Sequence, residues 1–157
     1  MAWTESRIFR PFVADMMGNT AAFDLDGADT IMAALFNDSV TPDRNVASAL
    51  SAYNAGQWDN ANEVSDAGQW DQGGIALTNP VVNSGSAGVV FFDADNPESG
   101  AAAELADVYG TLVYDGSLST PVADQGICYN YLGGANGVAG GTFRLVWADA
   151  GIARFTL

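Results

Sequence analysis

The sequence predicts an all-β fold, an antiparallel sandwich or jelly-roll-like barrel with an N-terminal helical segment. Three observations lead there. The second half is a succession of short runs rich in Val, Ile, Phe, Tyr and Thr, at 75–78, 88–93, 108–115, 127–132, 142–148 and 152–157, separated by Gly, Asn, Asp and Pro. Two of these runs alternate with a period of two. Tyr109, Thr111 and Val113 alternate with Val108, Leu112 and Tyr114, and Phe143, Leu145 and Trp147 alternate with Thr142, Arg144 and Val146. Such alternation sends one set to the core and the other toward solvent or a neighbouring subunit. Finally, no strand-helix periodicity of the α/β kind appears in this half.

Taken in order, residues 4–18 place Ile8, Phe9, Phe12, Val13, Met16 and Met17 at helical spacing behind Thr4 as a cap, with Gly18-Asn19 as the stop. Pro11 removes a backbone donor and crowds the preceding turn, so this helix either begins late or kinks. Its apolar face either covers one end of a β core or serves as an arm that docks on a partner. The apolar run 30–36 reads as a buried strand. Thr41-Pro42-Asp43 is a break, and 46–53 a short helix. From 54 to 74 the chain is polar and carries Ala-Gly-Gln-Trp-Asp twice, at 55–59 and 67–71. Two such short copies do not make a solenoid, so they read as a local loop or hairpin feature. Asp149-Ala150-Gly151 reads as the tight turn of an antiparallel hairpin between the last two strands, with Gly151 at positive φ. The chain thus divides into a helical segment or arm at 1–20 and a single β-rich domain at 21–157.

Composition narrows the chemistry. The 157 residues include five Arg, no Lys, no His, one Cys and nineteen Asp plus Glu, for a net charge of −14. At 48% hydrophobic and 11% aromatic the chain is too apolar to be disordered despite that charge. Without imidazole or ammonium side chains it has no Ser-His-Asp or Cys-His catalysis, no Schiff base, no Walker-type phosphate loop and no histidine metal site. The acidic surplus opposes nucleic acid and anionic membrane as partners. Only 15% of residues are charged, so Ser, Thr, Asn, Gln and eighteen Gly finish the surface, which suits packing against another protein. No apolar run reaches signal-peptide or membrane-spanning length, and the expectation is a protein made in the cytoplasm.

The motifs are weaker than they look. Phe23-Asp24-Leu25-Asp26-Gly27 imitates the opening of haloacid-dehalogenase-type phosphatases, but Ala28 stands where that chemistry needs Thr, no parallel strand precedes it, and no Lys exists to hold a phosphoryl group. Asp24, Asp26 and Asp29, or Asp93, Asp95 and Glu98, supply oxygens for Ca²⁺, yet neither has the loop spacing of an EF-hand. The glycine clusters at 73–74, 133–134 and 137–141 lack dinucleotide- and phosphate-binding spacing and read as loops needing positive φ or close backbone approach. Trp58 and Trp70 either pin a long loop to the core, anchor an interface, or offer platforms to a sugar. Cys128 reads as a small strand residue without basic activation.

The ordered series Ala33-Ala34-Leu35-Phe36, Val90-Phe91-Phe92-Asp93-Ala94-Asp95, Tyr109-Gly110-Thr111-Leu112-Val113-Tyr114-Asp115, Ile127-Cys128-Tyr129-Asn130-Tyr131-Leu132-Gly133-Gly134 and Gly141-Thr142-Phe143-Arg144-Leu145-Val146-Trp147-Ala148-Asp149-Ala150-Gly151-Ile152 resembles a set of small virion proteins of tailed bacteriophages, labelled minor capsid, head decoration or minor tail proteins. The resemblance spans roughly residues 30–157 and lies in the order of the segments. It implies a noncatalytic capsid decoration protein, without cofactor or metal, on the capsid exterior of the virion. The partners it implies are the major capsid protein and further copies of the chain. The rival expectations are a minor tail or tail-tube protein and a carbohydrate- or calcium-binding adhesion domain. Exposed-loop logic, rather than any family motif, selects Arg7, Phe9, Arg10, Phe12, Met16, Trp58 and Trp70 as candidate partner contacts.

Overall fold

Residues Ile31–Phe36 carry no polar side chain, as a strand covered on both faces requires. They form β2, in the interior of the larger of two antiparallel sheets. The structure, a computed structural model, describes residues 3–85 and 87–157. In chain order its elements are β1 (Arg7–Ile8), α1 (Arg10–Gly18), β2, α2 (Ser48–Ser51), 3-10 turns at Gly56–Trp58 and Asn60–Asn62, β3 (Glu63–Val64), β4 (Ile75–Ala76), β5 (Val81–Asn83), β6 (Val89–Asp93), β7 (Ala103–Asp115), β8 (Gly126–Gly141) and β9 (Ala153–Thr156). The larger sheet runs β1-β8-β7-β2-β3, with β4 also paired to β2; the smaller runs β5-β6-β9. The all-β, sandwich-like class expected from the sequence is the class observed.

Register sorts the core into two sides. Ala34 lies opposite Leu112, which lies opposite Tyr129, while Ala33 lies opposite Val113 and Val113 opposite Cys128. Directly opposed residues of antiparallel strands share a face. The Tyr129 side is covered by the N-terminal segment and the loops after β2. There Trp58 sits among four rings, with centroids 5.2 Å from Phe36, 5.8 Å from Trp3, 5.9 Å from Phe9 and 5.9 Å from Tyr129. The Cys128 side faces the start of β9, where the Cys128 thiol lies 3.9 Å from the Ile152 carbonyl.

The N-terminal segment packs three aromatic side chains into the β core and leaves its charged residues Glu5, Arg7 and Arg10 outside. Trp3 and Phe9 are fully buried and Phe12 is 1% exposed. β1 pairs with β8, the Phe9 N–H donates to Ile127 O at 3.0 Å, and the Trp3 indole N–H donates to Asn37 O at 2.8 Å. Two strand glycines make room for these rings. A Cβ on Gly110 would lie 2.3 Å from the Trp3 ring, and one on Gly126 would lie 2.7 Å from the Phe9 ring.

The helix begins late, as one of the two readings of Pro11 requires. Its cap position is Phe9 rather than Thr4, Pro11 occupies the first turn where its missing donor costs nothing, and Asn19 closes the end in the left-handed conformation. The 46–53 helix shrinks to a single turn, α2.

The expected strand at 142–148 and its hairpin with 152–157 are also corrected. Phe143 and Leu145 do point inward, but Leu145 N–H donates to Pro97 O and Ser99 N–H to Phe143 O. A further pair of bonds comes from Phe143 N–H to Ser99 Oγ and from Trp147 N–H to Asn96 Oδ1. The segment is a strap tied to the 96–99 loop, and β9 pairs with β6 instead. The turn itself stands, with Gly151 at φ 86° and its N–H bonded to Ala148 O.

Replacing Trp58 with Ala removes the shared neighbour of four rings, and we expect a loss of about 3–5 kcal/mol in chemical denaturation. Gly110→Ala adds only a methyl group but drives it into Trp3, so we expect a cost of about 1–3 kcal/mol. The exposed Met17→Ala should stay within about 0.5 kcal/mol. A silent Gly110→Ala would show that Trp3 is not seated over β7.

Candidate interaction faces

The structure divides the seven candidate contact residues into two groups. Phe9, Phe12, Trp58 and Trp70 belong to the core, so none of them can meet a partner or a sugar in this fold. Arg7, Arg10 and Met16 are exposed.

The two Ala-Gly-Gln-Trp-Asp copies explain why the tryptophans go inward. In each copy a glycine at positive φ, Gly56 or Gly68, turns the chain so that the following Trp drops into the core. Each glutamine then accepts a hydrogen bond from a distant backbone, Gln57 from Thr41 N–H and Gln69 from Ala102 N–H, while the aspartates hold local turns. The Trp70 indole N–H donates to Ala33 O on β2. The repeat is one loop anchor used twice.

The inner side of α1 is fixed by Asp15. Its carboxylate accepts from Ser48 Oγ at 2.8 Å, Gln125 Nε2 at 2.8 Å and Thr20 Oγ1 at 2.9 Å. With that side held, Arg10, Val13 and Met17 line an outer groove of about 450 Å³ together with Ile8 and Arg44. Met17 is 81% exposed and Met16 41%. The backbone joins the two basic residues, because Arg10 N–H donates to Arg44 O at 2.9 Å.

A second groove, of about 440 Å³, shares Ile8 and Arg44 with the first and adds Arg7 and Arg154. Four of the five arginines thus line adjoining grooves on a chain of net charge −14. Arg7 is paired with Glu5; among the described residues Arg10, Arg44 and Arg154 have no ion pair. The remaining arginine, Arg144, lies 3.9 Å from Glu98 at a third groove of about 630 Å³, whose other charged residues are Asp93, Asp95 and Asp149. Sequence reading found only the local pair Arg7 and Arg10. Arg44 lies in the loop after β2 and Arg154 on β9, and no spacing rule links them to the N-terminus.

The acidic motifs hold their own turns. Asp24 accepts from Ala28 N–H and Asp29 from Asp24 N–H, and Asp95 accepts from Thr78 Oγ1 and Asn79 Nδ2. Among the described residues, no three His, Cys, Asp or Glu side chains gather into a group able to hold a metal ion. Cys128 is fully buried, and burial pushes its thiol up to about 12.

Several interior carboxyls are shifted. Burial raises Glu63 above its ordinary value, outweighing the hydrogen bonds it accepts from Tyr53 Oη and Gly73 N–H. Burial likewise raises Asp115, with the Asp29 carboxyl adding to it against the bonds from Ser117, and raises Asp124. At Asp15 burial also works upward, but the bonds from Ser48, Gln125 and Thr20 together win and hold it below 3.8. No protein-family model, curated protein or solved structure matches the chain.

A carboxyl raised in the folded state binds protons more tightly there than in the unfolded chain, so stability grows as pH falls through its folded value toward its unfolded one. Glu63, Asp115 and Asp124 act in this sense. Asp15 acts oppositely, and its contribution is lost below 3.8 as its folded value is crossed. We expect Tm to rise on acidification from neutrality toward 4.5, the ordinary value of a Glu carboxyl, and to fall again below 3.8. A Tm that declines throughout acidification from neutrality would contradict these assignments.

Proposed function

We propose that the protein is a noncatalytic structural component of a tailed-phage virion, a capsid decoration protein bound to the outer surface of the head. The observation that carries the reading is the exposed face of α1, where Arg10, Met17 and Arg44 stand together on a protein of net charge −14. An exposed methionine flanked by guanidinium groups suits a protein partner. Met adapts to the shape it meets, while Arg forms planar hydrogen-bonded contacts with carboxylates. The ordered strand segments support the virion assignment through their resemblance to small virion proteins of tailed phages, which include minor capsid, head decoration and minor tail proteins. The acidic remainder disfavours packaged nucleic acid and supports an outward location.

The mechanism is cementing by mass action. A protein that binds the assembled lattice of the major capsid protein better than separated capsomers stabilises the shell by the free energy of that preference. A rigid docking face keeps the ordering cost of binding low. Asp15, Ser48 and Gln125 supply that rigidity by fixing α1 to the body.

Arg10→Glu combined with Met17→Ser changes this face without touching the core. We expect wild-type Tm and at least tenfold lower occupancy on purified heads in co-sedimentation, about 1.4 kcal/mol or more of docking free energy. Undiminished occupancy would reject the α1 face, and label found on tails rather than heads would replace decoration with a minor tail role.

A further inference from the structure

We propose that the turn Trp147–Gly151 is the centre of a two-fold interface through which the protein pairs with a second copy of itself. The turn is a ridge between two grooves of opposite charge. On one side lies a groove lined by Asp93, Asp95, Asp149 and the Glu98–Arg144 pair, net acidic; on the other lies the basic groove of Arg7, Arg44 and Arg154. Ala148 lines both, so the grooves are contiguous.

Contiguity decides the symmetry. Complementary patches on opposite sides of a molecule would link copies head to tail into open chains. Patches flanking one ridge are both satisfied by a two-fold axis through that ridge. The basic groove of each copy then faces the acidic groove of the other, and the contact closes at two. The ridge carries small apolar residues, Ala148 and Ala150, on either side of the exposed Asp149, and the adjoining strap exposes Val146 at 74%. Arg154 lies only in the second groove and has no ion pair among the described residues, so this contact would supply its partner.

The net charge of −14 works against self-association at long range. At about 0.15 M salt the screening length is about 8 Å, so overall repulsion is damped while contact pairs across the ridge persist. Pairing should therefore be strongest at intermediate ionic strength.

Sedimentation equilibrium of the whole protein at that ionic strength should show a monomer-dimer equilibrium between micromolar and near-millimolar protein. Two exposed substitutions test its basis, Arg154→Glu and Asp149→Arg. Each should weaken pairing about tenfold or more, because each sets like charges against one another at both symmetric contacts. Asp149→Arg makes the discriminating case. It lowers the net negative charge, so if overall repulsion governed association this variant would pair more tightly than the wild type. An equimolar mixture of the two variants should recover a dimer, since both contacts of the mixed pair are again opposite in sign and its total charge equals that of the wild-type dimer. Circular dichroism and Tm establish that each variant is folded. A wild-type protein that stays monomeric throughout, a mixture that fails to pair, or growth into ladders beyond the dimer would overturn the two-fold interface. None of these outcomes depends on binding to heads, which the α1 variant reads separately.

Discussion

The packing of Trp58 against Phe36, Trp3, Phe9 and Tyr129 is the contact on which the rest of the molecule depends. The rings come from four stretches of chain: the N-terminus supplies two, β2 and β8 one each, and the loop before β3 the hub. Edge-to-face aromatic pairs contribute about 0.5–1.5 kcal/mol each beyond their burial. More important here is that it ties residues 3–9, the long polar loop and the larger sheet together at one place. Gly110 and Gly126 are the backbone's side of the same arrangement, since their missing side chains leave the volume that Trp3 and Phe9 occupy.

That cluster also sets the surface. With Phe9 buried and bonded to Ile127, the residues on either side of it have fixed positions: Arg7 and Ile8 at the edge of β8, Arg10 at the start of α1. Arg44 is drawn beside them by its backbone bond to Arg10, and Arg154 by the packing of β9 on the Cys128 side. An aromatic core thereby gathers most of the positive charge of a strongly acidic protein on one side. Glu5 pairs with Arg7 on that side, while Arg10, Arg44 and Arg154 have no ion pair among the described residues and make it electrostatically distinct.

Much of this was legible in the sequence, and the failures have physical causes. The strands expected at 30–36, 88–93 and 108–115 from apolar runs and alternation are observed at Ile31–Phe36, Val89–Asp93 and Ala103–Asp115, because those patterns report burial directly. The strap at 142–148 shows what alternation leaves out. Phe143 and Leu145 face inward as their spacing says, but the period fixes side-chain direction and not the partner of the backbone, which here is the 96–99 loop. The glycine-rich stretch 133–141 reads as loop, yet β8 continues through it because β7 offers a ladder from Ala103 onward. Tertiary pairing overrides weak local propensity there. Trp58 and Trp70 illustrate the remaining limit: a tryptophan in a polar loop looks the same in sequence whether it turns inward or outward. The flanking Gly and Gln, present in both copies, were the available signal. For the faces, only Arg7 and Arg10 could be linked, since Arg44 and Arg154 join them solely through the fold.

The central claim is that the N-terminal segment is an integral part of the core and not an appendage. Native-state hydrogen exchange tests it at single amides. The Phe9 and Arg10 N–H groups bond to Ile127 O and Arg44 O, at positions an arm would leave open to solvent. If the segment is core, these amides exchange only when the whole domain unfolds, with the same opening free energy as Leu112 and Val113 on β7. Exchange at Phe9 and Arg10 through a far smaller opening, while β7 stays protected, would contradict the account.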